Sequence, residues 1–300
     1  MKVLVTGNKG FIGTHLCREL RDHGHDITGV DYVVDPSADL RVPGVALDHA
    51  VQANPDVVVH LAAKVGRLFG EDNPQETIMD NAGMTALVAK AASEVGARLV
   101  YASTSEVYGD QGDTWCYEGG RLALPHNIYG LSKRFGEEVA KLYAPEGLTV
   151  LRFSMPYGPG LPAGKGRAAI INMLWQALRG EQIVVHAGAE RSWCWVGDTV
   201  RAARLTIEHG EGETFNVGRD DDPSTMLTVA EIACELTGAD TGLIRVVDAP
   251  AQQTVVKRLA TEKIRAFGWV PEVRLREGME RTLEWVRRLD EDGMPTSEAL

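Results

Sequence analysis

Tyr129 and Lys133 stand four residues apart in NIYGLSKRFGEE, a spacing that sets a phenol and an ammonium on one face of a helix. A phenol of reference pKa about 10 is a weak base at neutral pH, and a neighbouring cation stabilises its phenolate. Beside a dinucleotide, such a pair can withdraw a proton from a hydroxyl while hydride leaves the same carbon. YxxxK arises often by chance, so its surroundings have to carry the reading. Upstream, YASTSEVYGD follows an apolar run and sets Thr104, Ser105 and Glu106 in consecutive positions. A threonine hydroxyl arriving at the C-terminal edge of a sheet strand can hydrogen-bond the same oxygen as Tyr129. Nearer the start, VTGNKGFIG sets Gly7, Gly10 and Gly13 between a strand pattern and an amphipathic helix pattern. Glycine there lets the backbone turn tightly and approach a pyrophosphate, and the helix N-terminus offers free N–H groups with partial positive charge. Asp31 ends the next strand pattern, in DITGVDYVV. A carboxylate at that place accepts from a ribose 2′-hydroxyl and repels a 2′-phosphate, which points to NAD over NADP.

These residues need a scaffold, and the chain supplies one. Through residue 155, short β-branched runs alternate with longer helical patterns: KVLVT, FIGTHLCRELRDHG, DITGV, DVVVHLA, MTALVAKAASEVG and RLVYAS, then a helix over 129–143 and a strand over 148–153. The alternation predicts a Rossmann-type, doubly wound α/β fold with a parallel sheet over residues 1–155. YGPGLPAGKG then breaks the rhythm with turn residues. Residues 156–300 read as a smaller mixed α/β substrate domain, with returns to the first domain near 191–217. Helices are expected over 168–179, from 198 onward and in LREGMERTLEWVRRL, with a strand in IVVHA.

A chain of 300 residues, 44% hydrophobic and 24% charged, can bury a large core. Its net charge of -11, without a long basic run, argues against nucleic acid or an anionic membrane as partner. Cys17, Cys116, Cys194 and Cys234 are scattered without a CxxC pair, so neither a metal site nor a redox dithiol is expected, and a reducing compartment fits. MKVLVTG lacks a charged segment followed by an apolar one, and no run of about 18 apolar residues occurs, so a cytoplasmic location is expected.

Taken together, TGNKGFIG, VDYVV, ADLR, VVVHLAAKVG, ASTSEVYGD, YGLSK, LRFSMPYGPG, ERSWCWVGD, FNVG and FGWVPEVRLREGMERTLEW make the whole chain resemble an extended short-chain dehydrogenase/reductase. The group it resembles is the NAD-dependent nucleotide-sugar epimerase/dehydratase family. By that resemblance Gly7, Gly10 and Gly13 cradle the pyrophosphate, Asp31 holds the adenine ribose, and Asp39 with Leu40 flanks the adenine. Ala62, Ala63 and Lys64 line the nicotinamide side, and Phe11, Ile12, Leu61 and Asn81 join the cofactor site. Thr104, Tyr129 and Lys133 carry over as the catalytic set, with Glu106 beside them; Tyr129 and Lys133 also touch the cofactor. Asn172 and Arg191 match positions that hold the nucleotide diphosphate, for which a planar guanidinium is suited. Ser105, Glu106, Lys165 and Arg167 fall on the substrate side. Plainer readings stand beside some of these. Asp39 equally suits a turn, Lys64 a solvated loop, Trp193 and Trp195 an aromatic core, and His60 a core histidine. The resemblance also implies a homodimer through MTALVAKAASEVG and YGLSKRFGEEVAKLYA, whose apolar stripes equally suit packing on their own sheet.

Relatives that eliminate water from a 4-keto sugar carry Asp-Glu directly after the catalytic Thr; here the pair is Ser105 and Glu106, which disfavours a dehydratase. Thr-Ser-Glu is similar to nucleotide-glucuronate decarboxylases, in which C4 oxidation creates a β-keto acid. AAKVG resembles GDP-fucose synthase, whose Cys after the Ser pair is absent. RFSMPYGP stands where the family commonly has RFFNVYGP, so Met155 replaces an Asn and cannot make its charge-assisted bond. Lys165, Arg167 or Arg191 can compensate. The expectation is C4 oxidation of a nucleotide-diphosphate sugar, a UDP-sugar favoured, followed by C4 epimerisation. Behind it stand a UDP-glucuronate decarboxylase, a 4-ketoreductase or dehydratase, and a non-catalytic NAD-binding sensor.

Overall fold

Six β-branched runs meet in one parallel sheet: Lys2–Thr6 (β1), Asp26–Val30 (β2), Val57–His60 (β3), Arg98–Thr104 (β4), Leu148–Phe153 (β5) and Thr214–Val217 (β6). The computed structural model describes residues 1–144, 147–161, 168–210, 212–250 and 253–292. The strands lie in the order β2-β1-β3-β4-β5-β6, every neighbouring pair parallel. Strand order reverses between β1 and β3, which opens a crevice at their carboxyl ends. All residues of β3 and β5 are buried. Helices cover both faces, which is why β3 reads as a near-continuous apolar run and not as alternation.

On one face Phe11–Asp22 buries Gly13, Leu16, Cys17 and Leu20 at helical spacing and packs with Val196–His209. Leu16 and Leu20 are wholly buried, each contributing about 1.5–3 kcal/mol. On the other face lie Met84–Glu94 and Ile128–Tyr143. Beyond β5 the chain forms short paired strands: Met155–Tyr157 with Trp193–Trp195, and Ile183–His186 with Ile244–Val247. Val256–Leu259 pairs with Glu190–Arg191 and with Trp115–Cys116. A separate core there contains Tyr157, Leu174, Trp193, Val229 and Met279. Between these pieces the chain returns to the large sheet at β6, beside β5.

The helices expected over 129–143, 168–179 and from 198 are observed as Ile128–Tyr143, Ala169–Leu178 and Val196–His209. The sequence reading overlooked Met226–Thr237, although Thr225 caps it and Gly238, at φ +75°, ends it. All four cysteines are buried and unbridged, and no helix among the described residues is long and apolar enough to cross a membrane.

Candidate active site

The glycine loop is shaped by close approach. Gly7 has φ +70°, and a Cβ there would stand 2.7 Å from the Ala62 nitrogen; one on Gly13 would stand 2.1 Å from the Gly7 carbonyl oxygen. Gly10, at the N-cap of Phe11–Asp22, brings no side chain to the helix end, and the first turn holds no acidic residue. The leading N–H groups therefore face the crevice and fit an anionic pyrophosphate. Just past β2, the Asp31 carboxylate accepts from the backbone N–H of Lys9 at 2.9 Å and of Val33 at 3.0 Å, which fixes it beside the loop. These residues fit a dinucleotide. Phe11 and Ile12 pack half-buried against the core.

The structure uses Asp39 locally: its carboxylate accepts from the Arg41 backbone N–H and from two guanidinium nitrogens at 2.8 and 2.9 Å. Arg41 lies over the Tyr32 ring at 5.1 Å. Leu40 is in the core with Ala38, Ala46 and Val58. After β3, the Leu61 N–H bonds the Thr6 carbonyl and the Ala62 N–H bonds the Thr6 hydroxyl; Ala63 is half-buried. Asn81 ties this loop to the helix of Tyr129, accepting from the Lys64 N–H at 2.8 Å and donating to the Lys64 carbonyl at 3.0 Å and the Ser132 hydroxyl at 2.9 Å. The Lys64 ammonium is turned to Glu76 at the surface, 2.8 Å away. His60 is a satisfied core histidine, its nitrogens 2.8 Å from the Thr6 and 3.2 Å from the Thr85 hydroxyls. Burial, with Lys133, pushes its pKa down to about 3.

At the far side of the crevice β4 ends in Thr104, whose hydroxyl accepts from the Glu106 N–H and starts the 3₁₀ turn Ser105–Tyr108. The helix Ile128–Tyr143 begins under an Asn127 cap, the side-chain oxygen accepting from the Gly130 N–H at 2.8 Å. Tyr129 sits in its first turn and Lys133 one turn on, 3% exposed. The Lys133 ammonium lies 4.3 Å from the centre of the Tyr101 ring, and burial lowers its pKa to about 7 against the opposing pull of Glu137. Glu137 clamps helix to sheet. It accepts from the Ser103 hydroxyl on β4 and, at 3.0 and 2.7 Å, from the Arg152 guanidinium on β5. A Cβ on Gly130 would stand 2.9 Å from that of Glu106, so the turn after Thr104 presses on the residue next to Tyr129. The elements that carry Thr104, Glu106, Tyr129 and Lys133 thus meet at the carboxyl edge of the sheet.

Glu106 joins that edge to the second core. One carboxylate oxygen pairs with the ammonium of Lys257, and the other accepts from the Asn127 side chain at 2.9 Å. Burial alone raises its pKa, but Lys257, Asn127 and Arg191 outweigh it and hold the carboxyl down at about 2. Burial lowers Lys257 to about 8, with Glu106 opposing. Arg191 sits beside Lys257 in the parallel strand pair, and its guanidinium donates to the carbonyls of Glu190, Thr254 and Val255. Ser105 is buried. Asn172 lies half-buried on Ala169–Leu178, and Lys165 and Arg167 lie outside the described residues. Met155 packs half-buried against the second core, where Tyr157 meets the Trp193 and Trp195 rings edge-on. Sequence reasoning missed Asn127, a readable helix cap, and Lys257, whose strand VKRL carries no signal of its own.

A doubly wound sheet with an uncapped glycine-loop helix, and a Thr, Tyr and Lys on elements that meet at its carboxyl edge, has the layout of a short-chain dehydrogenase/reductase. Residues 3–218 match the NAD dependent epimerase/dehydratase family, and the chain belongs to it, with NAD as cofactor. It is 29% identical to UDP-glucuronic acid decarboxylase 6 of Arabidopsis thaliana over 93% of this chain and 87% of that one. The solved structure of MoeE5 in complex with UDP-glucuronic acid and NAD superposes with a TM-score of 0.86 at 28% identity, covering 96% of this chain and 99% of the other. The UDP-glucose 4-epimerase of Thermus thermophilus in complex with NAD gives 0.85 at 25% identity, with the same coverage.

Proposed function

We propose that the protein oxidises C4 of a nucleotide-diphosphate sugar, a UDP-sugar, with bound NAD, and takes the hydride back on the opposite face as a 4-epimerase. The observation that carries this reading is the meeting of Thr104, Tyr129 and buried Lys133 at the edge of the crevice that Gly7, Gly10, Gly13 and Asp31 shape for a dinucleotide. When bound, NAD supplies the acceptor and donor of hydride. Tyr129 takes the proton of the C4 hydroxyl at its phenolic oxygen and later returns it, and Thr104 hydrogen-bonds the same oxygen. Lys133, titrating near neutral pH, supplies the positive charge that favours phenolate. Epimerisation needs no acid beside the sugar, and Ser105 stands where the dehydratase pattern has Asp.

A second reading, decarboxylation of a UDP-glucuronate-type sugar, is favoured by the order Thr104, Ser105, Glu106 and by the named activity of the Arabidopsis relative. In both readings residues 156–300 are mostly substrate domain, with returns to the first domain near 191–217, and Asn172 and Arg191 lie at the diphosphate. Leu131, Phe135 and Leu142 leave an apolar stripe exposed on Ile128–Tyr143, which supports a homodimer through that helix. Proton NMR of the NAD-loaded protein with UDP-glucose and UDP-glucuronate tests the proposal. Appearance of the C4 epimer supports it, whereas a pentose replaces it with decarboxylation.

A further inference from the structure

We propose that Lys257 is a positioning residue for the sugar site: its ammonium, buried opposite the turn after Thr104, keeps Glu106 an acceptor-only carboxylate that binds a sugar hydroxyl and donates no proton. The proposal rests on the reading above that the Thr104 and Tyr129 edge receives a sugar. Three observations carry it. Lys257 is 3% exposed, and its ammonium meets a Glu106 oxygen across 151 positions of chain. Asn127, which caps the Tyr129 helix, donates to the other oxygen, so both oxygens are engaged by donors and neither carries a proton in that arrangement. The turn that carries Glu106 passes close to Gly130, next to Tyr129, so this carboxylate springs from the same edge as the Tyr129 helix.

The charges around the pair agree with this assignment. Arg191, beside Lys257 in the strand pair, lies within electrostatic reach of Glu106; Cys116 acts on Lys257, and Arg67 and Glu190 act on Arg191. Cations therefore outnumber the single Glu106 carboxylate at its own position. An ionised carboxylate accepts hydrogen bonds only, which suits orientation of a sugar hydroxyl while the ring turns over. It cannot protonate a leaving hydroxyl or a carbanion.

The test reads Glu106 directly. Protein labelled with carboxyl-¹³C glutamate and loaded with NAD is titrated by NMR, with the Glu106 resonance assigned by its loss in Glu106→Gln. In the wild type that resonance is expected to stay at its ionised position between about pH 4 and 8, where ordinary glutamates titrate at about 4.3. In Lys257→Met it should titrate inside this window, and Lys257→Arg should restore the flat profile. In the presence of UDP-sugar, kcat/KM of Lys257→Met should gain a new acid limb that Lys257→Arg lacks. A wild-type Glu106 that titrates like an exposed glutamate overturns the proposal even if Lys257→Met does not fold; so does an identical titration in Lys257→Met and wild type. The titration requires no turnover, so failure to convert any sugar refutes the proposed function without touching the result for Lys257.

Discussion

Replacing Arg152 by Met removes one half of the clamp that sets the Tyr129 and Lys133 helix against the Thr104 strand. Side-chain exposure is 4% for Arg152 and 0% for Glu137. The guanidinium donates twice to Glu137 and, at 3.1 Å, to the Tyr108 hydroxyl. Without it, Ser103 remains as a donor to a carboxylate that water does not reach. Breaking a buried pair by removing one partner costs about 3–5 kcal/mol, a large share of a domain stability of roughly 5–15 kcal/mol. Replacing both, in Arg152→Met/Glu137→Leu, removes the stranded charge. It leaves the lost bonds of Ser103 and Tyr108, at about 1 kcal/mol each, while the part-buried Glu118 carbonyl that Arg152 reaches at 3.3 Å is left to water. Urea unfolding of the NAD-loaded proteins above about pH 7, where Lys133 has lost most of its charge and no longer depends on Glu137, measures both values. The double variant should be more stable than Arg152→Met by about 1–3 kcal/mol, the difference between those two losses. A single-variant loss below about 1 kcal/mol, or a double variant no more stable than the single, refutes the reasoning that this pair locks helix to sheet.

Tyr129→Phe should lower turnover by about 10²–10⁴-fold with NAD affinity unchanged, read by single-turnover kinetics and calorimetry; an unchanged rate removes Tyr129 from the chemistry. Lys133 falls from 10.5 to about 7 in the folded protein. Between those values the unfolded chain binds more protons, so this group makes stability rise with pH across that window, and its penalty is full below about pH 7. Lys133→Met should abolish that slope and stabilise the NAD-free protein by a few kcal/mol at neutral pH, as urea unfolding across the pH range would reveal. Phe135, 56% exposed on its helix, should be needed for self-association, and Phe135→Glu should sediment as a monomer where the wild type sediments as a dimer.

The parts of the site legible in sequence are the local ones. The glycine loop, the Asp31 strand end and the YxxxK helix each follow from spacing within one strand or one helical turn; the loop and the helix stand where expected, and Asp31 falls one residue past its strand. Asp39 also had a local answer, since Arg41 two residues on takes up its carboxylate and turns the chain. Lys257 and Glu137 were not legible as site residues. Lys257 meets Glu106 only because a short strand near the end of the chain aligns with Glu190–Arg191, and periodicity does not report such pairing. Glu137 acts through Arg152 and Ser103, on two strands that are adjacent in space. Met155, which stands where the family commonly has Asn, lies half-buried against the second core, a neighbourhood that only the fold reveals.

In the proposed reaction hydride leaves C4 of a nucleotide sugar and returns to the same carbon. NMR of NAD-loaded protein incubated with C4-deuterated UDP-glucose and, separately, UDP-glucuronate tests it most directly. A product inverted at C4 that still carries deuterium there is expected, with no carbon dioxide released. Loss of the deuterium to solvent, or recovery of both sugars unchanged, would contradict it.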